Sequence, residues 1–408
     1  MWQAIFDRIL SDFITRGTLR IRYPDGSERE YGDGTSPAAQ ISLHEAALLP
    51  RMVKNPEMAF GEGYMDGSLS IDEGGLENAM RIAIRSAAAN PLPIVQRIQM
   101  RAEYLMRPLI QRNSVPLSKR NVAHHYDLSD DFYRLMLDPD MQYSCAYFQT
   151  PDMTLEEAQK AKKDHIARKL CLEPGMRVLD IGCGWGGLAL TLAQKHGVQV
   201  TGLTLSENQH RTANQRIQAA GLQKQIQIRL MDYREVEDQF DRIVSVGMLE
   251  HVGAPQFQTY FDRISDLLHP EGVALIHSIG RNGPATNQSP WLSKYIFPGG
   301  YVPSLTELVG PVSRTGMWFL DIESLRLHYA KTLRCWRDRF EHNLDQVRAM
   351  YDDRFIRMWR FYLTACILVF EERDQTVFQL QLGHKRDVVP LTRDYLYQSP
   401  QPMRDAAE

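Results

Sequence analysis

Within nine residues, Met141 to Gln149, the chain sets a thiol, a hydroxyl and three aromatic rings side by side as MQYSCAYFQ. Downstream lies DIGCGWGG, with Gly182, Gly184, Gly186 and Gly187 at a strand-to-helix junction. Glycines there let backbone approach a ligand while the helix N-terminus faces it. Asp180 sits just ahead of them, where a carboxylate can pair with a cationic group such as an amino-acid ammonium. A later apolar run ends in MDY, which supplies Asp232 for an adenine amine.

Gly182, Gly184 and Gly187 also fit the GxGxxG spacing of a nicotinamide dinucleotide site, a weak signal by itself. Asp180 and Asp232 together favour the class I fold that binds S-adenosylmethionine. Many such proteins end their second strand in an acid that grips the ribose, whereas here LTLSENQ follows, so Thr204, Glu207 or Gln209 must serve. Gln209 is also placed to close a capping box with Ser206.

Alternating elements must hold these groups. TLEE, with Thr154 and Glu157, is a capping box that opens a helix. MRVLDIGCG reads as a strand and WGGLALTLAQKHG as a helix ended by Gly197. The strands VQVTGLTL, IQIRLMD, RIVSVGM and GVALIHSIG follow, with PQFQTYFDRISDLLHPEG as the helix between the last two. Strands separated by helices predict an α/β, doubly wound, mostly parallel sheet, and the resemblance to the class I S-adenosylmethionine-binding fold implies seven strands in it. Upstream of RNSVPLSKRNVAHHYD the pattern is mostly helical. A chain of 408 residues exceeds one compact core, and the expected division is 1–118 and 119–400.

Composition narrows the partners. Apolar residues at 43 % and charged residues at 24 % suit a soluble globular protein. MWQAIFDRILSDFITRG reads as an amphipathic helix and not a leader peptide, and FYLTACILVF is too short to span a bilayer. Five cysteines, odd in number and without CxxC spacing, argue against a disulfide framework or structural zinc and favour a reducing cytoplasm. Adjacent His124 and His125 have no acid or cysteine to complete a metal site, so no metal is expected. From Arg81 to Arg120 the chain carries eight Lys/Arg against Glu103, a net +7. With no nucleic-acid motif, such a basic helix can lie on anionic lipid; a solvated face is the blander alternative.

The segments GEGYMDG, HYDLSDDFYRLMLDPDMQYSCAYF, GMRVLDIGCGWGGLA, LTLSENQ, DYRE, FDRIVSVGMLEHVG, LIHSIG, WLSKYIFPGG and FYLTAC run in order through the chain. Together they resemble the cyclopropane fatty acid synthase family and its mycolic-acid relatives. The resemblance implies methyl transfer from S-adenosylmethionine to a cis double bond of a membrane phospholipid's acyl chain, then proton loss that closes a ring. It implies a cytoplasmic enzyme peripherally bound to the membrane, a lipid-engaging helical N-terminal domain and a homodimer. It also implies a bicarbonate base caged by Cys145, Glu250, His277, the backbone of Ile279, and Tyr329. Tyr143 and Ser144 would then touch S-adenosylmethionine together with Asp180, Gly182, Gly184, Thr204, Gln209, Asp232 and Tyr233, making MQYSCAYFQ a lid and Cys145 an anion ligand. Cys366 matches a cysteine offered as a family nucleophile, but its apolar neighbours favour core packing. WLSKYIFPGGYVP, with Trp291 and Phe297, has the content to wall an acyl channel.

The chemistry constrains the site in the same direction. An alkene is a poor nucleophile, so alignment and exclusion of water must do most of the catalysis. The carbocation that follows needs apolar walls and a base that does not attack carbon. Three other outcomes remain open: a methylene- or methyl-branched product, a small-molecule methyltransferase, or a non-catalytic lipid-binding protein.

Overall fold

The computed structural model describes residues 1–89 and 128–397. Helix α1 (Trp2–Phe13) turns Phe6 and Leu10 onto a small sheet of β1 (Thr18–Arg22), β2 (Glu28–Gly32), β3 (Ala38–Leu43) and β4 (Leu69–Glu73). The order is β2-β1-β3-β4, with β1 and β3 parallel and the other pairs antiparallel. Around it lie α2 (Leu48–Lys54), α3 (Pro56–Asp66) and α4 (Gly75–Ala89). Helices predominate in this region, as expected. The sheet is an addition that the sequence pattern concealed, because β2 buries only Tyr31 and so lacks apolar alternation.

The larger body begins with α5 (Asp130–Met136), capped by the Ser129 side chain, and α6 (Leu155–Lys169), whose Thr154–Glu157 capping box is fully formed. Then come β5 (Arg177–Ile181), α7 (Gly187–His196), β6 (Gln199–Thr204), α8 (Glu207–Ala219), β7 (Ile226–Leu230), β8 (Phe240–Val246), α9 (Phe257–Leu267) and β9 (Leu268–Arg281). Helices α10 (Pro290–Tyr295) and α11 (Leu305–Thr315) precede β10 (Trp318–Ser324). Helices α12 (His328–His342), α13 (Leu344–Met350) and α14 (Asp353–Glu372) lead into the final strand, β11 (Gln375–Gly383).

These seven strands form one sheet ordered β10-β11-β9-β8-β5-β6-β7. It is parallel from β9 to β7 and antiparallel at β11 and β10. The order reverses between β5 and β8, which opens a crevice at their carboxyl ends, the place where open α/β sheets bind ligands. This is the expected class I methyltransferase architecture.

The two regions meet across apolar and charged contacts. Trp291 of α10 is fully buried, and a Cβ on Gly61 of α3 would stand 2.4 Å from its indole Nε1, so only glycine allows this approach. The other face of Trp291 packs on Phe361 of α14, with ring centroids 4.5 Å apart. Beside them, Glu77 of α4 accepts from Arg334 at 2.9 Å and Arg337 at 2.5 Å of α12, while Arg81 and Arg85 bind Glu371 and Glu372 of α14. Arg81 and Arg85 are therefore committed to ion pairs within the chain, which takes these two out of the basic stretch counted from Arg81 to Arg120. The rest of the basic stretch, His124, His125 and the expected boundary at 118/119 lie outside the described residues.

Candidate active site

A cleft of about 1310 Å³, its solvent mouth included, opens at the carboxyl ends of β5, β6, β7 and β8. Tyr143, Ser144, Asp180, Gly182, Gly184, Thr204, Gln209, Asp232 and Tyr233 all line it. Asp180, one residue before the end of strand β5, is 1 % exposed, and its Oδ2 has no hydrogen-bond partner. Burial raises this carboxyl to about 7. Lys162 offsets only part of that burial cost, and a buried carboxyl with an unpartnered oxygen is suited to a cationic ligand. Gly182 takes φ of +83°, and a Cβ there would crowd Met248 on the opposite wall. At Gly187 a Cβ would strike the side chains of Asp140 and Gln142 at 2.4–2.7 Å, so glycine lets the 140–142 loop rest on the start of α7.

The residues expected to meet a ribose depart from the sequence expectation in detail. Thr204 Oγ1 donates to Gln209 Oε1 at 2.8 Å, and the Gln209 N–H donates to Ser206 Oγ at 3.3 Å. The Gln209 side chain therefore does not close a capping box; it holds Thr204, and both are buried in the cleft wall. Glu207 is exposed and lines no part of the cleft. Asp232 is buried at 2 % exposure and accepts from Arg234 through Nε at 2.8 Å and Nη2 at 2.7 Å.

The MQYSCAYFQ segment is pinned from both sides. From α6, Lys162 Nζ donates to Gln142 Oε1 and Ser144 Oγ, both at 2.7 Å, and Gln159 Nε2 donates to the carbonyls of Gln142 and Ser144. From α12, Thr332 accepts the Ala146 N–H and His328 Nδ1 accepts the Phe148 N–H, each at 3.0 Å. The Tyr147 ring is sandwiched between His165 and His328, with centroids 4.3 and 5.0 Å away. Tyr143 and Tyr362 share a hydroxyl hydrogen bond of 2.9 Å.

Behind this segment lie the expected cage residues, none of which lines the cleft itself. Cys145 is buried in an apolar cluster with Tyr329, and burial pushes its thiol far up. Its Sγ donates to the Ala146 carbonyl at 3.3 Å. Such a thiol is no nucleophile. Glu250, on the turn after β8, accepts the Ile279 N–H through Oε1 at 2.6 Å, while buried Oε2 has no partner; burial raises this carboxyl to about 7.

His277 pairs in register with Val246 of β8, and burial holds its imidazole well below the ordinary range. The Gln379 amide N–H donates to His277 Nδ1 at 3.1 Å, so the ring proton sits on Nε2. Tyr329 packs on Trp336 and Phe370 with centroids 5.8 and 5.0 Å away. Cys366 packs against the same cluster, its thiol pushed up to about 12, in keeping with core packing.

Three residues that the sequence reading passed over belong to the site. Asp130 accepts from Trp185 Nε1 at 2.8 Å, Asn208 Nδ2 at 2.6 Å and Thr212 Oγ1 at 2.6 Å, tying α5 to the glycine loop and α8. Its signal was its place just after the capping Ser129. His251 lines the cleft, pushed down to about 4 by desolvation, and was legible only as the neighbour of Glu250. Lys162 looked like one more cation in KAKKDHIARK.

Comparison with known proteins gives this geometry a context. Residues 114–380 match the family model described as mycolic acid cyclopropane synthetase, and residues 5–90 match one described as a domain of unknown function. The chain is 39 % identical over 375 residues to the cyclopropane-fatty-acyl-phospholipid synthase of Escherichia coli (strain K12), covering 91 % of this chain and 92 % of that one. It is 35 % identical over 399 residues to the tuberculostearic acid methyltransferase UfaA1 of Mycobacterium tuberculosis, covering 93 % and 91 %. Among solved structures, mycolic acid cyclopropane synthase CmaA1 complexed with SAH and CTAB superposes with a TM-score of 0.61 at 36 % identity, over 65 % of this chain and 97 % of that one.

Proposed function

Because the chain belongs to the mycolic acid cyclopropane synthetase family, we propose that it adds a methylene across the cis double bond of unsaturated phospholipid acyl chains at a membrane surface. It is an S-adenosylmethionine-dependent methyltransferase. The observation that carries the reading is the buried Glu250–Ile279 pair, with its unpartnered Oε2, behind the cofactor cleft.

S-adenosylmethionine supplies the methyl group that becomes the ring carbon. Asp180 faces its ammonium, and the pairing favours the ionised carboxylate that burial alone disfavours. Gly182 and Gly184 let backbone approach, Thr204 and Gln209 meet the ribose, Asp232 and Tyr233 bound the adenine end, and Tyr143 and Ser144 close the amino-acid end. The aromatic cluster around Tyr143, Tyr362, Trp336 and Phe297 excludes water from the cation left on the acyl chain.

Bicarbonate, when bound, supplies the base that takes a proton from the transferred carbon. Glu250 Oε2 is the group that would accept the ion's own proton, and His277 Nε2–H, the Tyr329 hydroxyl and the Cys145 thiol would donate to its oxygens. The residues fit such an ion with one change of role. The Ile279 N–H is engaged by Glu250, so it orients the carboxylate and is not the first donor to the anion.

Residues 1–118 would engage lipid and 119–400 carry the chemistry. Among the described residues no helix is long and apolar enough to cross a membrane, which suits a peripheral enzyme in the cytoplasm that docks on anionic lipid, as a homodimer. Mass spectrometry of unsaturated phosphatidylglycerol vesicles after incubation with enzyme and S-adenosylmethionine tests the reading. A gain of one CH2 with loss of the double bond supports it. The same gain with unsaturation retained transfers the chain to the branched-product reading, which its similarity to a tuberculostearic acid methyltransferase keeps in play. No gain overturns both.

A further inference from the structure

Lys162 lies on α6 at 1 % exposure. Its neighbour Lys163 pairs with Asp140, whereas Lys162 makes no ion pair among the described residues and spends two of its three N–H groups on neutral oxygens, Gln142 Oε1 and Ser144 Oγ, at 2.7 Å each. Asp138 and Asp140 attract it from beyond ion-pair distance, but a buried ammonium with no carboxylate in contact is still expensive, and packing alone would be better served by an apolar side chain of the same length. Its contacts say what it does. A hydroxyl that accepts from an ammonium cannot use its own hydrogen there, so the Ser144 O–H must donate elsewhere, and Ser144 lines the cofactor cleft. Likewise, Gln142 Oε1 accepts from Lys162, which fixes the amide so that Nε2 donates to Asp140 at 3.1 Å.

We propose that Lys162 is a positioning residue that makes Ser144 an obligate hydrogen-bond donor toward the carboxylate end of the cofactor, holding the lid in register from beneath. This rests on the assignment of the cleft to S-adenosylmethionine and not on any lipid substrate. Lys162 touches no reacting atom. It acts through Ser144, and its charge is also felt by the buried Asp180.

The experiment measures binding by calorimetry on the full chain, using S-adenosylhomocysteine and 5′-methylthioadenosine, which lacks the amino-acid end. Lys162→Met should weaken S-adenosylhomocysteine at least tenfold, leave 5′-methylthioadenosine within twofold, and leave the ligand-free melting temperature near that of the wild type. In a Ser144→Ala background the same change should cost less than threefold. Equal losses for both ligands, an unchanged affinity for S-adenosylhomocysteine, or additive effects of the two substitutions would each overturn the proposal. Should Lys162→Met not melt cooperatively, Lys162→Gln takes its place, and failure of both to fold makes the lysine a purely structural cation, which also overturns it. A wild-type chain that binds no S-adenosylhomocysteine refutes the cofactor assignment itself.

Discussion

Oε1 of Glu250 takes the backbone N–H of Ile279 at 2.6 Å, and Oε2 of the same carboxyl is buried without a partner. One oxygen thus fixes the side chain, and the other is the one that the proposed function gives to a proton-bearing ligand. Glu250→Gln keeps the shape and puts an amide where Oε2 or Oε1 stood. We expect turnover to fall by about 10²-fold or more, the range of a lost general acid–base partner, with S-adenosylhomocysteine affinity unchanged. Wild-type turnover in the variant would remove Glu250 from the base.

Glu250 also gives a pH signature. Its folded value, about 7, lies above the ordinary 4.5, so between those limits the folded state holds a proton that the unfolded state has released, and stability falls as pH rises through this window. Glu250→Gln cannot ionise and escapes this loss. The variant should therefore gain on the wild type from pH 4.5 to pH 7 by up to about 3 kcal/mol, read by urea unfolding at several pH values. A constant difference would mean that the carboxyl titrates normally.

The contact between Gly61 and Trp291 predicts how the N-terminal region is held. Gly61→Ala sets a methyl against the indole and should cost about 1–3 kcal/mol, measured as a shift in thermal unfolding. Trp291→Asp should abolish folding, because the ring is fully buried. Trp291 therefore cannot serve as a clean probe of an acyl channel.

Phe297 can serve as that probe. Its ring meets Tyr362 at 5.7 Å and His251 at 6.4 Å, beside the cleft and only partly buried. Phe297→Asp should reduce turnover on lipid at least tenfold while S-adenosylhomocysteine binds as before. Unchanged lipid turnover would place the acyl chain elsewhere.

Glu77 accepts from three arginines, Arg81, Arg334 and Arg337, and is held down to about 2, desolvation opposing a larger pull from those partners. A depressed carboxylate stabilises above its unfolded value and loses that contribution as pH falls toward 2. Glu77→Gln should cost about 1–2 kcal/mol at pH 7, discounted for the partial exposure of the cluster, and much less at pH 3. An equal cost at both values would assign the effect to packing.

The strongest chemistry was also the most legible part of the sequence. The glycine turn, Asp180 and the β-branched strands announce a parallel sheet and its crevice, because period and turn residues are local properties. Lys162 was hidden because a lysine in KAKKDHIARK reads as solvated until tertiary packing covers it. Asp130 was hidden because its three donors come from α8 and the glycine loop, distant in sequence. Gln209 was read as a cap because spacing shows only what a side chain can reach, whereas the fold gave it Thr204. Arg81 and Arg85 were read as surface charge because their acids lie nearly three hundred residues away.

The most direct measurement is the conversion of unsaturated phosphatidylglycerol in buffer stripped of bicarbonate and then replenished. Cyclopropane product should collapse on depletion in the wild type and return on addition, and Glu250→Gln should respond to neither. Product formation indifferent to bicarbonate in the wild type would contradict the base site built on Glu250, His277 and Tyr329.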